Sequence, residues 1–143
     1  MIKRNFVLLL MVIVSLGASA QDINLDKKWG AVVEAIAQVE SEGRPELVSK
    51  NGLYVGYLQI SKVLVRQVNQ ILGTKAYTYN DRYDKQKSIE MFIIFQEHYN
   101  KEGNMEMAIR LWCSGDLRCM TRKRASDGYY RRVMRKYTEM AHR

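Results

Sequence analysis

The sequence predicts a mostly α-helical domain, and three observations carry that prediction. Apolar residues recur at three- and four-residue steps in five segments. A single proline in 143 residues leaves glycine to punctuate them. Four of the segments also follow an Asn, Asp or Ser whose side chain suits a helix N-terminus.

The first helix is expected over about Leu25 to Ser41, with Asn24 or Asp26 as cap and Gly43 and Pro45 just past its end. Trp29, Val33, Ile36, Ala37 and Glu40 stack on one side of it. Glu40 is thus a carboxyl group on an apolar stripe. Glu34 falls off the stripe with Gln38 and Ser41, where a solvated carboxylate is expected. Asn51-Gly52 marks a turn, Leu53 to Ile60 reads as extended or irregular, and Ser61 caps a short helix to about Leu72. The polar, tyrosine-rich stretch Gly73 to Tyr83 reads as loop. Asp84 then caps a strong helix ending near Asn100 or Lys101, with Ser88, Met91, Phe92, Phe95, His98 and Tyr99 at helical spacing. Extra apolar bulk at Ile93 and Ile94 makes it the central, buried helix. Gly103 ends it, Asn104 caps the next, and Met105, Ala108, Ile109 and Trp112 line one face until Ser114-Gly115. A last helix from about Ser126 to Ala141 carries Tyr129, Tyr130, Val133 and Tyr137 among its arginines.

Residues 1–20 read as a secretory signal rather than as fold. Lys3 and Arg4 form a positive start, Phe6 to Leu16 an apolar run, and Ala18-Ser19-Ala20 a small-residue cleavage site. The apolar run is shorter than the roughly 20 residues of a spanning helix, and no later segment approaches that length. A single domain over residues 21–143 is expected, in the periplasm or outside the cell. The formal charge of +8 includes the two cations of the leader, and much of the rest gathers near the C-terminus. An anionic wall polymer or a partner in an envelope complex suits that excess, while export argues against nucleic acid. Cys113 and Cys119 lie close together, and an oxidising compartment makes a disulfide the default reading. The chain-entropy model gives so short a loop roughly 2.4 kcal/mol. With His98 and His142 remote, the cysteines match no zinc spacing, so no metal and no cofactor is expected.

A buried carboxylic acid is what glycoside cleavage requires, because the leaving oxygen must be protonated near neutral pH. Burial raises a carboxyl pKa, and a well-placed general acid contributes roughly 10² to 10⁴ in rate. The Glu40-Ser41 pair is followed by Gly56-Tyr57-Leu58-Gln59-Ile60 and then by Ala108-Ile109-Arg110-Leu111-Trp112-Cys113-Ser114-Gly115. In order and spacing this series, over about Ala31 to Val133, resembles the lytic transglycosylases of the soluble-lytic-transglycosylase (SLT) type. Those belong to the lysozyme superfamily, with a catalytic Glu-Ser, a Gly-Leu-(Met/Trp)-Gln-Ile run and a helix ending in Ala-x-x-x-Tyr-Asn-Ala-Gly.

The resemblance implies a goose-type, SLT-like helical domain with a central buried helix and an active-site cleft. It implies that Glu40 protonates the glycosidic oxygen between N-acetylmuramic acid and N-acetylglucosamine of peptidoglycan. The same carboxylate then deprotonates the C6 hydroxyl and closes a 1,6-anhydro ring. Ser41, Gly56, Tyr57, Gln59, Trp112 and Ser114 fall on substrate-binding positions of the pattern. Gly56 would let main chain approach a sugar where Cβ has no room, and the Gln59 amide would both donate and accept. The family's Asp-Pro-x-x-Asn-Ile element is similar to Asp84-Lys85-Gln86-Lys87-Ser88-Ile89, without its proline and asparagine. A tyrosine near the family's C-terminus lies by the glutamate, and Tyr130 is favoured over Tyr129 for it. One departure stands out: Trp112-Cys113 replaces Tyr-Asn, and a thiol lacks the two donors and the carbonyl of an amide.

Other functions were weighed on the same residues. A hydrolytic muramidase needs a second carboxylate about 5 to 9.5 Å from the first, for which Asp81, Asp84 and Asp116 are the candidates. A peptidase with Cys113 as nucleophile and His98 as base is disfavoured, since a helix C-terminus opposes a thiolate. A non-catalytic peptidoglycan-binding module of an envelope machine is the third alternative.

Overall fold

The computed structural model describes residues 27–143. The expected leader over residues 1–20 and the caps Asn24 and Asp26 lie outside the described residues. The chain divides into two units after Gly30. Of the first, residues 27–30 are described, and they are helical with Trp29 buried. The second unit runs over Ala31–Arg143 and holds the elements described.

Helix α1, over 31–40 of this unit, buries Val32, Val33, Ala35, Ile36 and Ala37. The apolar face is therefore broader than the single stripe expected. Glu42 and Gly43 both adopt left-handed φ (55° and 76°), and the Gly43 N–H returns to the Ala37 carbonyl at 3.3 Å, which closes the helix. Ser41, placed off the stripe by periodicity, is buried instead. Its hydroxyl donates to the Tyr57 carbonyl at 2.8 Å, so this tie to the next segment, not the helix phase, decides its position.

A small antiparallel lobe follows. Strand β1 (Tyr54–Val55) pairs with β2 (Ile60–Ser61) in the register Tyr54↔Ser61 and Val55↔Ile60, and Val48 bridges to Val55. Asn51 shapes the turn before β1 by accepting from the Ser49 hydroxyl and the Leu53 N–H. Ser61 ends β2 and caps α2 (Lys62–Leu72) by accepting from the Leu64 N–H at 3.2 Å.

The tyrosine-rich stretch expected as loop contains a 3₁₀ turn, Tyr79–Tyr83. Asp81 nucleates it by accepting from both the N–H and the hydroxyl of Thr78. Asp84 then caps α3 (Lys85–Tyr99) through the Lys87 N–H. This helix is the centre of the domain, with Ser88, Met91, Phe92, Phe95 and Gln96 buried. His98 differs from expectation. It is exposed and stands edge-on to Tyr99, while Gln96 takes the inward position because the junction that follows α3 needs its amide. Gln96 donates to the Ala108 carbonyl and accepts from Asn100, which also donates to the Asn104 carbonyl.

Helix α4 (Met105–Ser114) begins at Asn104 as expected and ends at Gly115 in the left-handed region, φ 63°. Ala108, Ile109 and Leu111 enter the core, and so does Arg110, a charge that helical spacing did not single out. A 3₁₀ turn (Lys123–Ser126) leads into α5 (Asp127–Ala141), of which Tyr129 and Val133 are buried. The expected disulfide is not formed: Cys113 and Cys119 are both free. Cys113 sits exposed on the last turn of α4 within electrostatic reach of Glu40. The chain beyond Gly115 carries Cys119 into a separate buried turn, where its N–H bonds the Asp116 carbonyl.

Candidate active site

Glu40 ends α1 on the face that packs inward, half-buried, and its Oε1 accepts a 2.6 Å hydrogen bond from the Tyr129 hydroxyl of α5. Burial pushes the Glu40 pKa up, opposed by that hydrogen bond and by the charge of Arg132. Desolvation dominates, so the carboxyl keeps its proton to higher pH than an ordinary glutamate. Tyr129 is pushed well above the usual phenol range by its own burial and then by Glu40, which makes it a permanent donor. Arg132, one turn further along α5, lies over the Tyr129 ring at 5.7 Å.

The expected tyrosine, Tyr130, is not the one at Glu40. It stacks under the Arg110 guanidinium at 4.5 Å instead. The phase of α5 explains the exchange, since Ser126, Tyr129 and Val133 form its buried line and Tyr130 lies beside that line. That line was readable in the spacing of Tyr129 and Val133, four residues apart. Arg132 carried no such signal, because among so many arginines nothing in the sequence distinguishes the one facing the acid.

Arg110 fixes the start of α5. Its guanidinium pairs with Glu106 on its own helix and with Asp127 at 2.8 Å each. It also donates to the Lys123 carbonyl and the Ser126 hydroxyl. Asp127 is in the first turn of α5, where the helix dipole favours a negative charge. The residue that anchors the helix bearing Tyr129 is thus a buried cation one turn before Cys113.

The Gly56–Ile60 run serves mainly to hold the lobe together. Gly56 has φ 87°, and a Cβ there would lie 1.8 Å from the Arg82 carbonyl oxygen, so it is glycine because of its own protein and not because of an approaching sugar. Tyr57 is buried, with its ring below Lys85 Nζ and its hydroxyl donating to Glu34. Glu34 also accepts from Gln38, so it has two protein partners where a simply solvated carboxylate was expected. Gln59 adopts φ 51° and spends its amide donors on the carbonyls of Leu47 and Gly56, leaving its acceptor oxygen.

At the end of α4, Trp112 meets Phe92 edge-to-face at 5.0 Å and remains partly exposed. Ser114 turns back to donate to the Arg110 carbonyl at 2.8 Å. Trp112, Cys113 and Ser114 line a cavity of about 290 Å³ together with Tyr54, Ser61 and Gln67. Although Cys113 is exposed as a residue, partial desolvation of its thiol and then the neighbouring Glu40 charge raise its pKa, with Arg132 opposing. It stays in the neutral form.

The three acids named for a second catalytic role are each employed elsewhere. Asp81 holds Thr78 and Lys87, Asp84 caps α3, and Asp116 accepts from Arg118 and pairs with Arg122.

A mostly helical domain around a buried central helix, with one protonatable glutamate held by a tyrosine, defines the lysozyme-like class. The family model for the Transglycosylase SLT domain matches residues 20–129, and the chain belongs to that family. Membership sets the general activity, transglycosylase or lysozyme-like cleavage, and the substrate, peptidoglycan. No curated protein and no solved structure matches the chain.

Proposed function

We propose that the protein is a lytic transglycosylase that cuts the β-1,4 bond between N-acetylmuramic acid and N-acetylglucosamine and leaves a 1,6-anhydro ring. The carrying observation is Glu40, a half-buried acid with a raised pKa whose Oε1 is fixed by the Tyr129 hydroxyl. Protonated Glu40 gives its proton to the glycosidic oxygen as the bond to C1 breaks. The resulting carboxylate takes the proton of the C6 hydroxyl as O6 bonds to C1, so the acid is restored and no water is consumed. Tyr129 stabilises the carboxylate between the two steps, and Arg132 adds to that.

One carboxylate suffices for this sequence, which agrees with the structural employment of Asp81, Asp84 and Asp116. Trp112 offers a sugar-stacking edge, Gln59 its acceptor oxygen and Ser114 a hydroxyl at the cavity rim. Ser41, Gly56 and Tyr57 support the site by shaping main chain. The Cys113 thiol takes the position of the family asparagine without supplying its amide, so recognition of the N-acetyl group falls to the remaining polar groups. Export through the leader would bring the chain to the wall, where the basic face of α5 suits an anionic polymer or envelope partner.

Wild-type and Glu40→Gln protein incubated with purified sacculi provide the test. Soluble fragments ending in 1,6-anhydromuramic acid by mass spectrometry, from wild type only, are the expected outcome. New reducing ends would assign hydrolysis instead, and binding without release would assign a non-catalytic module.

A further inference from the structure

A second site lies on the opposite face of α2 from the cavity at Trp112. Leu64 and Gln67 line that cavity, whereas Arg66, Asn69 and Gln70 turn to a separate groove of about 710 Å³ closed by Lys75, Tyr77 and Tyr79. The two share no lining residue.

Arg66 and Lys75 line the groove, and Lys62 and Arg82 stand by the ring of its Tyr79. Arg66 donates to the Tyr79 hydroxyl at 3.3 Å, Lys62 Nζ stands 5.1 Å from the centre of the Tyr79 ring, and the Arg82 guanidinium lies 6.0 Å from it. Among the described residues no carboxylate lies within ion-pair distance of Lys62, Arg66, Lys75 or Arg82. The adjoining Asp81, which accepts from the groove residue Thr78, is taken up by Lys87, as Glu106 is by Arg110 and Lys123. Arg82 is itself buried, 6% exposed, and its donors go to the carbonyls of Tyr79 and Ile60, so its charge is held in place without compensation. The Tyr79 phenol is accordingly lowered, first by the Arg66 hydrogen bond.

The site is also shaped. The Asn69 amide both donates to the Tyr77 carbonyl at 2.9 Å and accepts from the Tyr77 N–H, which fixes the loop wall against α2. At the far end the Tyr77 hydroxyl donates to Glu90, and Asp81, which accepts from Thr78, has its charge taken up by Lys87, so the uncompensated positive charge lies at the Tyr79 end. A ligand with a carboxylate at its Tyr79 end and neutral polar or apolar groups along the tyrosines matches this polarity.

We propose that the groove binds the carboxylate-bearing peptide stem of a peptidoglycan strand, apart from the glycan held at Glu40. This rests on the substrate class given above and adds a second anchor to it. Lys62 and Arg66 receive the carboxylate, and Tyr77 and Tyr79 flank the peptide. Peptide-bearing strands would therefore be preferred over bare glycan, and increasingly so at low salt.

The test uses ¹⁵N-labelled Glu40→Gln protein titrated with a disaccharide pentapeptide and, separately, with peptide-free chitotetraose. The expected result is amide shifts over residues 62–79 with the first probe and none there with the second. Lys62→Gln combined with Arg66→Gln should weaken sacculus binding about tenfold at 50 mM salt, with an unchanged melting curve, and by much less at 500 mM. Equal shifts with both probes, or unaltered sacculus binding by the folded double variant, would overturn the proposal. So would shifts with polyglutamate and not with the pentapeptide, which would assign the groove to an acidic protein. Cleavage by wild type is scored independently: fragments without groove binding remove the second anchor alone, and groove binding without fragments removes the catalytic reading alone.

Discussion

Tyr129→Phe tests the central arrangement most directly, since it deletes one hydroxyl and keeps the ring that fills the core beside Val133. In the folded protein that hydroxyl is 2.6 Å from Glu40 Oε1 and opposes the desolvation that raises the carboxyl. A hydrogen bond to a charged group is worth about 1.5 to 3 kcal/mol, and 1.36 kcal/mol corresponds to one pKa unit. Its loss should lift the Glu40 pKa further. The acid must start protonated, so activity falls as pH rises through this pKa. The alkaline limb of fragment release from sacculi should thus move up, with the maximum down roughly tenfold as the carboxyl loses its orientation. Stability gives an independent check. A carboxyl whose folded pKa is raised contributes stability below its unfolded pKa and loses it as pH rises through the folded value. The melting-temperature deficit of the variant should therefore be small near pH 4 and widen through neutrality. An alkaline limb that stays put or moves down would refute the assignment of Tyr129 as the donor that sets this acid.

Three further outcomes follow from the same geometry. Gly56→Ala must displace the Arg82 carbonyl as well as hold a side chain at φ 87°, so urea unfolding should report a loss of about 3 kcal/mol or more, or no folded protein. Arg110→Met strands the part-exposed Asp127 and Glu106, which should cost about 2 to 4 kcal/mol, and because α5 then slackens the Glu40 pH limb should shift upward, which a loss of stability alone would leave in place. Iodoacetamide should alkylate Cys113 more slowly than a model thiol, chiefly through desolvation, and at alkaline pH somewhat faster in Glu40→Gln, where the lesser contribution of the ionised Glu40 is gone; equal rates in the two proteins would show that the thiol does not sense Glu40.

The helices were legible because their signals are local. Ser61, Asp84 and Asn104 each cap the helix expected of them, and Gly115 ends α4, since a side-chain acceptor or a left-handed glycine acts within a few residues. The inward Glu40 was legible for the same reason. What the chain kept hidden depends on contacts between distant segments. Ser41 is buried by a bond to the Tyr57 carbonyl, Gly56 is required by the Arg82 carbonyl, and Arg110 is drawn inward by partners on α5. Periodicity gives the face of a helix but not which polar group on it will find a partner. The family pattern pointed to Gly56 and Gln59 as substrate-binding positions, and their observed contacts are with the protein's own backbone.

These hidden contacts form one chain of cause from α4 to the acid. Arg110 holds Ser126 and Asp127, which sets where α5 starts; the start sets its phase; and the phase selects Tyr129 over Tyr130 as the residue that turns to Glu40. A shift of α5 by one residue rotates it by about 100° and would carry the Tyr129 hydroxyl off the carboxyl altogether. The last turn of the same helix α4 puts Cys113 within reach of Glu40, so one element both anchors the tyrosine helix and forms the near wall of the site. Replacing an amide by a thiol in that wall removes donors from the cavity but leaves the Arg110 anchor untouched. On the proposed mechanism, proton transfer by Glu40 and recognition of the sugar are therefore separable, and Cys113→Asn should alter affinity for glycan far more than the Glu40 pH limb.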